Sequence, residues 1–132
     1  MAKSIAEVEA LIAKMSDISQ RIQWAITLKN DSKLIGTIGY HTIEKENYRA
    51  EIGYMLHPDL WNTGLMSEAI ATVIEYGFSE MKLHSIEAII NPENAVSRKT
   101  LKKFNFVKEG FYKENFYFDG KFYDSEVYSL LK

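Results

Sequence analysis

Cysteine is absent from this chain of 132 residues, and proline occurs only twice. Without cysteine the chain has no disulfide, no thiolate metal site and no cysteine nucleophile. The three histidines, His41, His57 and His84, lack the spacing of metal ligands, so we expect no metal site. Long apolar runs are also missing. None approaches the roughly 18 residues of a membrane span, so we expect no membrane segment.

Neither sign of charge dominates the chain. Lysine and arginine together number 16 and aspartate and glutamate 18, which gives a net charge of −2. This balance disfavours a general nucleic-acid surface, so no nucleic-acid partner is predicted. The first 17 residues carry acidic side chains and do not have the pattern of a secretory signal. A cytoplasmic location is therefore the expectation.

The composition is typical of a globular domain. Hydrophobic residues make up 46% and charged residues 26% of the chain, which disfavours a disordered polypeptide. A chain of this length buries about two-thirds of its unfolded surface, which is enough for one hydrophobic core. No linker, repeat or low-complexity segment interrupts the sequence. We expect a single domain over residues 1–132.

The N-terminal half predicts one helix followed by three strands. A capping box opens a run of apolar residues at helical spacing, which predicts an amphipathic helix over residues 5–15. Alternating apolar and polar residues then predict strands over residues 22–28, 34–42 and 49–56. Because short polar turns separate these strands, we expect an antiparallel meander.

The C-terminal half predicts helices and strands in alternation, closed by a hairpin. The predicted elements are helices at residues 67–81 and 94–104 and strands at residues 84–90, 107–118 and 121–131. Asp119-Gly120 is a type I′ turn signal. The helix at residues 67–81 makes a βαβ crossover, so the strands that flank it are predicted to be parallel. The expected fold class is α/β (α+β), with a mixed sheet, an N-terminal meander and a C-terminal β-hairpin.

The stretch from Ala50 to Ala69 predicts an anion site. It reads as a strand, then a loop with Gly64, then the first turn of a helix. Unpaired N–H groups and the positive end of the helix dipole meet at such a place. A carboxylate, Glu51, lies in the strand just upstream. A phosphate site beside a candidate base suggests group transfer from a phosphorylated cofactor.

Four motifs in order resemble the GCN5-related N-acetyltransferases (GNAT), in the branch of the ribosomal-protein-alanine N-acetyltransferases. They are Glu51-Ile52-Gly53-Tyr54, the loop at residues 61–69, Asn94-Ala95-Val96-Ser97 and Lys103-Phe104-Asn105-Phe106. The resemblance covers most of the chain. It implies acetyl-CoA as the donor, which is a co-substrate, and a primary amine as the acceptor, either a protein N-terminus or a small molecule.

The resemblance also implies where the donor binds. In the family the pantetheine arm lies between two splayed strands, which here are residues 49–56 and 84–90, and the pyrophosphate lies over the loop at residues 62–66. The residues predicted to bind the donor are Met55, Leu56, Asn62, Thr63, Gly64, Leu65, Met66 and Asn94. A backbone N–H of Met55 or Leu56 is the expected oxyanion donor. Thr63 stands where this branch often has lysine, which removes one cation, and Met66 departs from the family's last loop position.

Two side chains are predicted to be catalytic. The resemblance implies Glu51 as the base, although an ordinary glutamate pKa is low for this task and burial or a water relay would be needed. The resemblance implies Ser97 as the proton donor to the leaving sulfur. The alternatives are a strand carboxylate paired with Arg49 or a lysine, and a first-turn serine bonded to the backbone.

Other residues have structural alternatives that the sequence leaves open. Asn94 is a favoured helix N-cap, and Gly64 is a plain loop glycine in the alternative interpretation. Tyr40 and Tyr54 are predicted to pack in the sheet. The aromatic residues of the hairpin are predicted to be mostly core, with a few beside the acceptor. His57 is expected to be a loop residue.

The family's first strand and helix have no counterpart before residue 5 in this prediction. We therefore expect an N-terminally short domain with an exposed sheet edge, for which a homodimer is one way to cover the edge. The functional alternative is a catalytically impaired CoA-binding or assembly module that lacks a complete acceptor site.

Overall fold

A computed structural model describes residues 5–10, 21–28, 34–56 and 64–132. They form one seven-stranded sheet in the order β1-β2-β3-β4-β5-β7-β6. The strands are β1 (Ile5–Ala10), β2 (Arg21–Leu28), β3 (Leu34–Glu44), β4 (Arg49–Leu56), β5 (Ser85–Ile90), β6 (Val107–Phe118) and β7 (Lys121–Leu131). The α-helices are α1 (Leu65–Ser79) and α2 (Ala95–Lys103). Among the residues described, no helix is both long and apolar enough to cross a membrane.

The predicted topology is confirmed from β2 onward. Strands β2, β3 and β4 pair antiparallel, and β4 pairs parallel with β5 after the crossover through α1. The turn between β6 and β7 has positive φ at both Asp119 (51°) and Gly120 (79°), which a type I′ turn requires. Local alternation and turn chemistry are therefore sufficient for this part of the fold.

The predicted helix at residues 5–15 is wrong for residues 5–10, which form β1 and pair antiparallel with β2. The predicted helix has eleven residues, and isolated helices shorter than about 12–15 residues are marginal without tertiary support. Pairing with β2 satisfies the same backbone groups and outweighs the helical periodicity. The sheet edge beside β2, which we expected to be exposed, is therefore occupied. Residues 11–15 lie outside the described residues.

The core lies on one side of the sheet, which we call the helix face because α1 and α2 pack there. Its largest fully buried side chains are Tyr40, Tyr128, Ile26, Ile38, Leu65, Ile70, Ile86, Leu101 and Val73. The Tyr40 hydroxyl donates a hydrogen bond to the Val73 carbonyl at 2.7 Å. A Cβ atom at Gly77 would lie 2.4 Å from that hydroxyl, so this glycine permits α1 to approach β3. The opposite side of the sheet is called the open face.

The prediction that the hairpin aromatics are mostly core is wrong. Six of them are 50–61% exposed, namely Phe111, Tyr112, Phe116, Tyr117, Phe118 and Phe122. The reason lies in the strand pairing. Strand β5 pairs with residues Glu126–Leu131 of β7, and within the described part of the chain the distal part of the hairpin pairs only with itself. That part of the hairpin therefore extends past the core.

Candidate active site

The sheet contains a gap between two of its central strands. Strands β4 and β5 pair at three positions and stop at Glu51 and Glu87. Beyond this point β4 remains paired with β3 as far as Leu56, and β5 remains paired with β7 as far as Ile90. We call the gap between residues 52–56 and 88–90 the notch. Backbone groups that face it are not paired with each other, and such groups require other partners.

Glu51 lies at the start of the notch, on the open face. Its carboxylate is half-buried, and its pKa is raised to about 7. Burial is the main cause of this rise, the neighbouring Glu87 carboxylate contributes to it, and Arg49 opposes it. Arg49 is itself paired with Glu87 at 3.0 Å, which limits how far it neutralises Glu51. A carboxylate with such a pKa exchanges a proton near neutral pH, as a general base must.

His41 is the cross-strand neighbour of Glu51, and its Nε2 lies 3.7 Å from the Glu51 carboxylate. Burial lowers the pKa of His41, and the nearby Arg21 lowers it further. The imidazole is therefore mainly neutral at pH 7, and the contact is not an ion pair. The distance is also too long for a hydrogen bond. Glu51 thus keeps its raised pKa beside this histidine.

Ser97 lies at the opposite side of the notch, in the first turn of α2 on the helix face. Its backbone N–H donates to the Asn94 side chain at 3.0 Å, so Asn94 is the N-cap of α2. The Tyr54 hydroxyl donates to Ser97 Oγ at 3.3 Å. Since Ser97 accepts in this bond, its own hydroxyl proton remains available for another acceptor.

An ionic cluster fixes α2, and with it Ser97, against the sheet. The Glu126 carboxylate contacts Arg98 at 3.4 Å and Lys108 at 3.3 Å, and it accepts a hydrogen bond from the Tyr128 hydroxyl at 3.0 Å. Burial alone would raise the pKa of Glu126, but these hydrogen bonds lower it below its ordinary value. The charged carboxylate therefore holds Arg98, the residue after Ser97, in place.

The start of α1 has the geometry expected of an anion site. Gly64 has φ 88° and precedes the helix, and its carbonyl accepts the Glu68 N–H at 3.1 Å. A side chain would be strained at this φ, which accounts for a glycine here. Lys103 Nζ lies 3.5 Å from the Ser67 hydroxyl, which brings a cation to the first turn of α1. Lys103 was not predicted in this role, because only the tertiary fold brings the end of α2 beside the start of α1.

The remaining predicted donor-site residues divide into three groups and one single residue, Leu56. Leu65 is buried and Met66 packs against the core, so any part they take in binding falls to their backbone. Met55 is 74% exposed, at the distal part of β4. The last group, Asn62 and Thr63, lies outside the described residues, as do Trp61 and His57. For Leu56 the strand backbone is described.

Comparisons with known proteins show the family of the chain. A family model described as an acetyltransferase (GNAT) domain matches residues 2–107. The uncharacterized N-acetyltransferase YoaA of Bacillus subtilis (strain 168) is 38% identical over 133 residues, covering 98% of this chain and 75% of YoaA. The uncharacterized N-acetyltransferase p20 of Bacillus licheniformis is 37% identical, covering 97% of this chain and 74% of p20.

A solved structure gives the same result. The crystal structure of a ribosomal-protein-S5-alanine acetyltransferase from Vibrio fischeri has a TM-score of 0.83 and 29% identity to this chain. The match covers 91% of this chain and 66% of that protein, so the chain spans about two-thirds of its length. The chain belongs to the GNAT family of N-acetyltransferases and is similar to its ribosomal-protein-alanine acetyltransferases.

Proposed function

We propose that this chain transfers an acetyl group from acetyl-CoA to a primary amine by direct attack. The observation that carries the proposal is the notch with its two unlike sides. Glu51, whose pKa is raised to about 7, lies on the open face, and the bonded pair Tyr54 and Ser97 lies on the helix face. With the base on one face of the notch and the proton donor on the other, the amine can attack from the open face while the thiolate leaves toward the helix face.

The donor fits the notch and the adjoining start of α1. The pantetheine arm would pair with the strand backbone that β4 and β5 leave free of each other, including the N–H of Met55 or Leu56 as oxyanion donor. The pyrophosphate would meet the backbone at Gly64, Leu65 and Met66, together with Asn62 and Thr63. Lys103 supplies a cation at this place, where Thr63 supplies none. The Asn94 oxygen is occupied by its cap, so its amide nitrogen is the atom left for the donor.

In the proposed transfer, one residue accepts the proton that the amine loses and another donates a proton to the leaving sulfur. The amine nitrogen forms a bond to the carbonyl carbon, and the carbon–sulfur bond breaks. Glu51 accepts the proton that the amine loses, directly or through one water molecule. Ser97 donates its hydroxyl proton to the leaving sulfur while it accepts a hydrogen bond from Tyr54. Glu51 then releases its proton to solvent and Ser97 takes one up from solvent, so both residues return to their starting states. The step needs no enzyme nucleophile.

Two measurements on the purified chain test the proposal. Calorimetric titration with acetyl-CoA measures donor binding, and thiol release with a panel of N-terminal peptides and small amines measures turnover. We expect both binding and amine-dependent thiol release. Binding without turnover on any amine would favour the alternative function, a CoA-binding or assembly module. Absence of binding would refute both.

A Gly64→Val variant sharpens the donor test. A branched side chain at φ 88° is strained and would crowd an anion at the start of α1. We expect weaker acetyl-CoA binding while the far-ultraviolet circular dichroism spectrum stays the same. Gly120→Val is the matched control, because Gly120 also has positive φ (79°) and a Cβ atom there meets nothing within 4 Å. Equal loss of affinity in both variants would contradict the assignment.

A further inference from the structure

Resting on the proposed function, we propose that the acceptor is a primary amine that also carries an anionic group. It binds in a depression on the open face, with its amine toward Glu51 and its anionic group toward Arg21. The inference rests on the shape of this depression and on the order of charges across three neighbouring strands.

Two glycines side by side form the floor of the depression. Gly39 in β3 and Gly53 in β4 are register partners, and Gln23 in β2 is the next residue across the sheet. Two adjacent strands thus present no side chain at this row, and a cavity of about 190 Å³ results. It is lined by Arg21, Ile22, Gln23, Thr37, Gly39, Tyr40, His41, Gly53, Tyr54 and Met55. Protein cavities of about 150 Å³ accept a ligand as large as benzene, so this one has room for a small amine.

The physical reason for a glycine differs between the two positions. A Cβ atom at Gly39 would lie 2.1 Å from the Ile22 carbonyl oxygen, so the approach of β2 alone explains this residue. A Cβ atom at Gly53 would lie 3.2 Å from His41 Nε2 and would be tolerated after a small side-chain shift. Folding therefore constrains Gly53 less than Gly39. A methyl group at Gly53 would instead occupy space inside the depression, which makes this position a probe of the cavity.

The row of residues next to the glycines contains a titratable or charged side chain on each of four neighbouring strands. Register pairing places Arg21 beside His41, His41 beside Glu51, and Glu51 beside Glu87. Neighbouring strands lie about 4.8 Å apart, so the Cα atoms of Arg21 and Glu51 are separated by roughly 10 Å. Arg21 therefore lines the depression itself. Glu51 is not one of the lining residues, but it lies at the other end of this row, beside the lining residue His41 and two positions before the lining residue Gly53.

The contacts that these charged side chains already make favour a ligand that carries both an amine and an anionic group. Among the residues that the structure describes, Arg21 has no carboxylate within ion-pair distance. Glu87 is paired with Arg49, whereas the basic side chain nearest to Glu51 among the described residues is the mainly neutral His41. An anionic group on the acceptor would pair with Arg21 while the amine faces Glu51. A diamine would place a second cation beside Arg21, and like charges at a binding site are costly.

Matched acceptors test the inference through kcat/KM for thiol release. The small-molecule arm compares 4-aminobutanoate with butylamine and 1,4-diaminobutane, and the peptide arm compares N-terminal Ala-Asp with Ala-Asn. We expect the anionic member to be preferred by about ten-fold or more, because it alone gains a charge-assisted hydrogen bond to Arg21. The arm that shows the preference identifies the source of the amine, and preference in either arm supports the proposal.

Substitutions at Arg21 locate the effect. We expect Arg21→Gln to abolish the preference for the anionic member and Arg21→Glu to shift it toward 1,4-diaminobutane. Lys102→Glu, in α2 on the helix face, makes the same change of net charge as Arg21→Glu and should keep the wild-type preference. Gly53→Ala should raise KM for acceptors and leave acetyl-CoA binding unchanged.

Two results would overturn the inference. If the wild-type chain acetylates amines without regard to the anionic group and Arg21→Gln changes nothing, the inference fails while the proposed function stands. If no amine is acetylated, both fail together. Because Arg21 is exposed, the Arg21→Gln variant is expected to fold, and its thermal midpoint verifies this.

Discussion

Tyr54 in β4 and Ser97 in α2 are joined by a hydrogen bond of 3.3 Å, although 43 residues separate them in the chain. The bond links the two sides of the notch on the helix face. Tyr54 also packs against the core, so the predicted packing role is confirmed and a second contact is added to it. Since the phenol donates and the serine accepts, Tyr54 is a positioning residue in the proposed mechanism, in which Ser97 gives its proton to the leaving sulfur.

Tyr54→Phe should lower kcat by about 3- to 10-fold, the equivalent of roughly 1 kcal/mol for one hydrogen bond. The KM for acetyl-CoA should change little. An acetyl thioester of a more acidic thiol needs less help from a proton donor, so the variant should lose less activity with it. Steady-state kinetics with both thioesters measures this difference. The control is Tyr48→Phe, whose side chain is 60% exposed. Equal losses with both thioesters would contradict the role.

Glu51→Gln should reduce kcat/KM by about 100-fold, the usual contribution of a general base. In the wild-type chain the reactive form is the carboxylate, so kcat/KM should rise with pH through about 7, where Glu51 titrates. That inflection should vanish in the variant. Acetyl-CoA affinity should stay the same, and Glu75→Gln on the exposed side of α1 serves as the control. A variant that keeps the inflection would show that another group is the base.

The same substitution should stabilise the fold at alkaline pH. The pKa of Glu51 is raised from 4.5 to about 7, so the folded chain holds this proton more tightly than the unfolded chain. Ionisation therefore costs stability, beginning near pH 4.5 and reaching its full value above pH 7. Because the group is only half-buried and partly screened, the cost is about 1–2 kcal/mol.

Urea unfolding of both proteins at about pH 4 and about pH 8 measures this cost. We expect Glu51→Gln to raise the free energy of unfolding at the higher pH and to match the wild-type chain at the lower one. All other titrating groups are common to the two proteins, so the contributions of those that do not interact with Glu51 cancel. A stabilisation confined to the lower pH would reverse the sign and contradict the assigned burial.

Lys103→Gln should weaken acetyl-CoA binding by about 3- to 10-fold at low ionic strength and by less at high ionic strength. The reason is the position of Lys103 Nζ, 3.5 Å from Ser67 Oγ in the first turn of α1. Lys102→Gln is the matched control, since it removes the same charge from the adjacent, exposed position of α2. Calorimetric titrations at two salt concentrations compare the variants. Equal effects would indicate a general electrostatic contribution rather than a contact.

The sequence was sufficient where short-range patterns decide the structure. The bounds of β4, β6 and β7 agree with the prediction to the residue, because alternation and the Asp119-Gly120 turn fix them locally. Prediction from the sequence failed where pairing or packing with another element decides the structure. Residues 5–10 have helical periodicity but pair with β2, and the aromatic residues of the hairpin are apolar enough for a core but are exposed in the structure.

The candidate site shows the same division. Glu51 and Ser97 were predicted from the family resemblance, and Asn94 from its preference for the N-cap position, which the structure confirms. The raised pKa of Glu51 depends on Glu87, a residue 36 positions away, and Lys103 reaches α1 only through the packing of α2. Contacts of this kind arise from the tertiary fold, so no local pattern announces them.

The short pairing between β4 and β5 has a consequence for cooperativity. In the described sheet, strands β1–β4 are paired with strands β5–β7 through three register pairs between β4 and β5. The sheet therefore consists of two ribbons, β1–β4 and β5–β7, that are joined at one end. A ligand that hydrogen-bonds both sides of the notch would act as an interior strand and join the ribbons along their length. Amide hydrogen exchange in the two ribbons would then become coupled, and the bound chain would open as one unit rather than two.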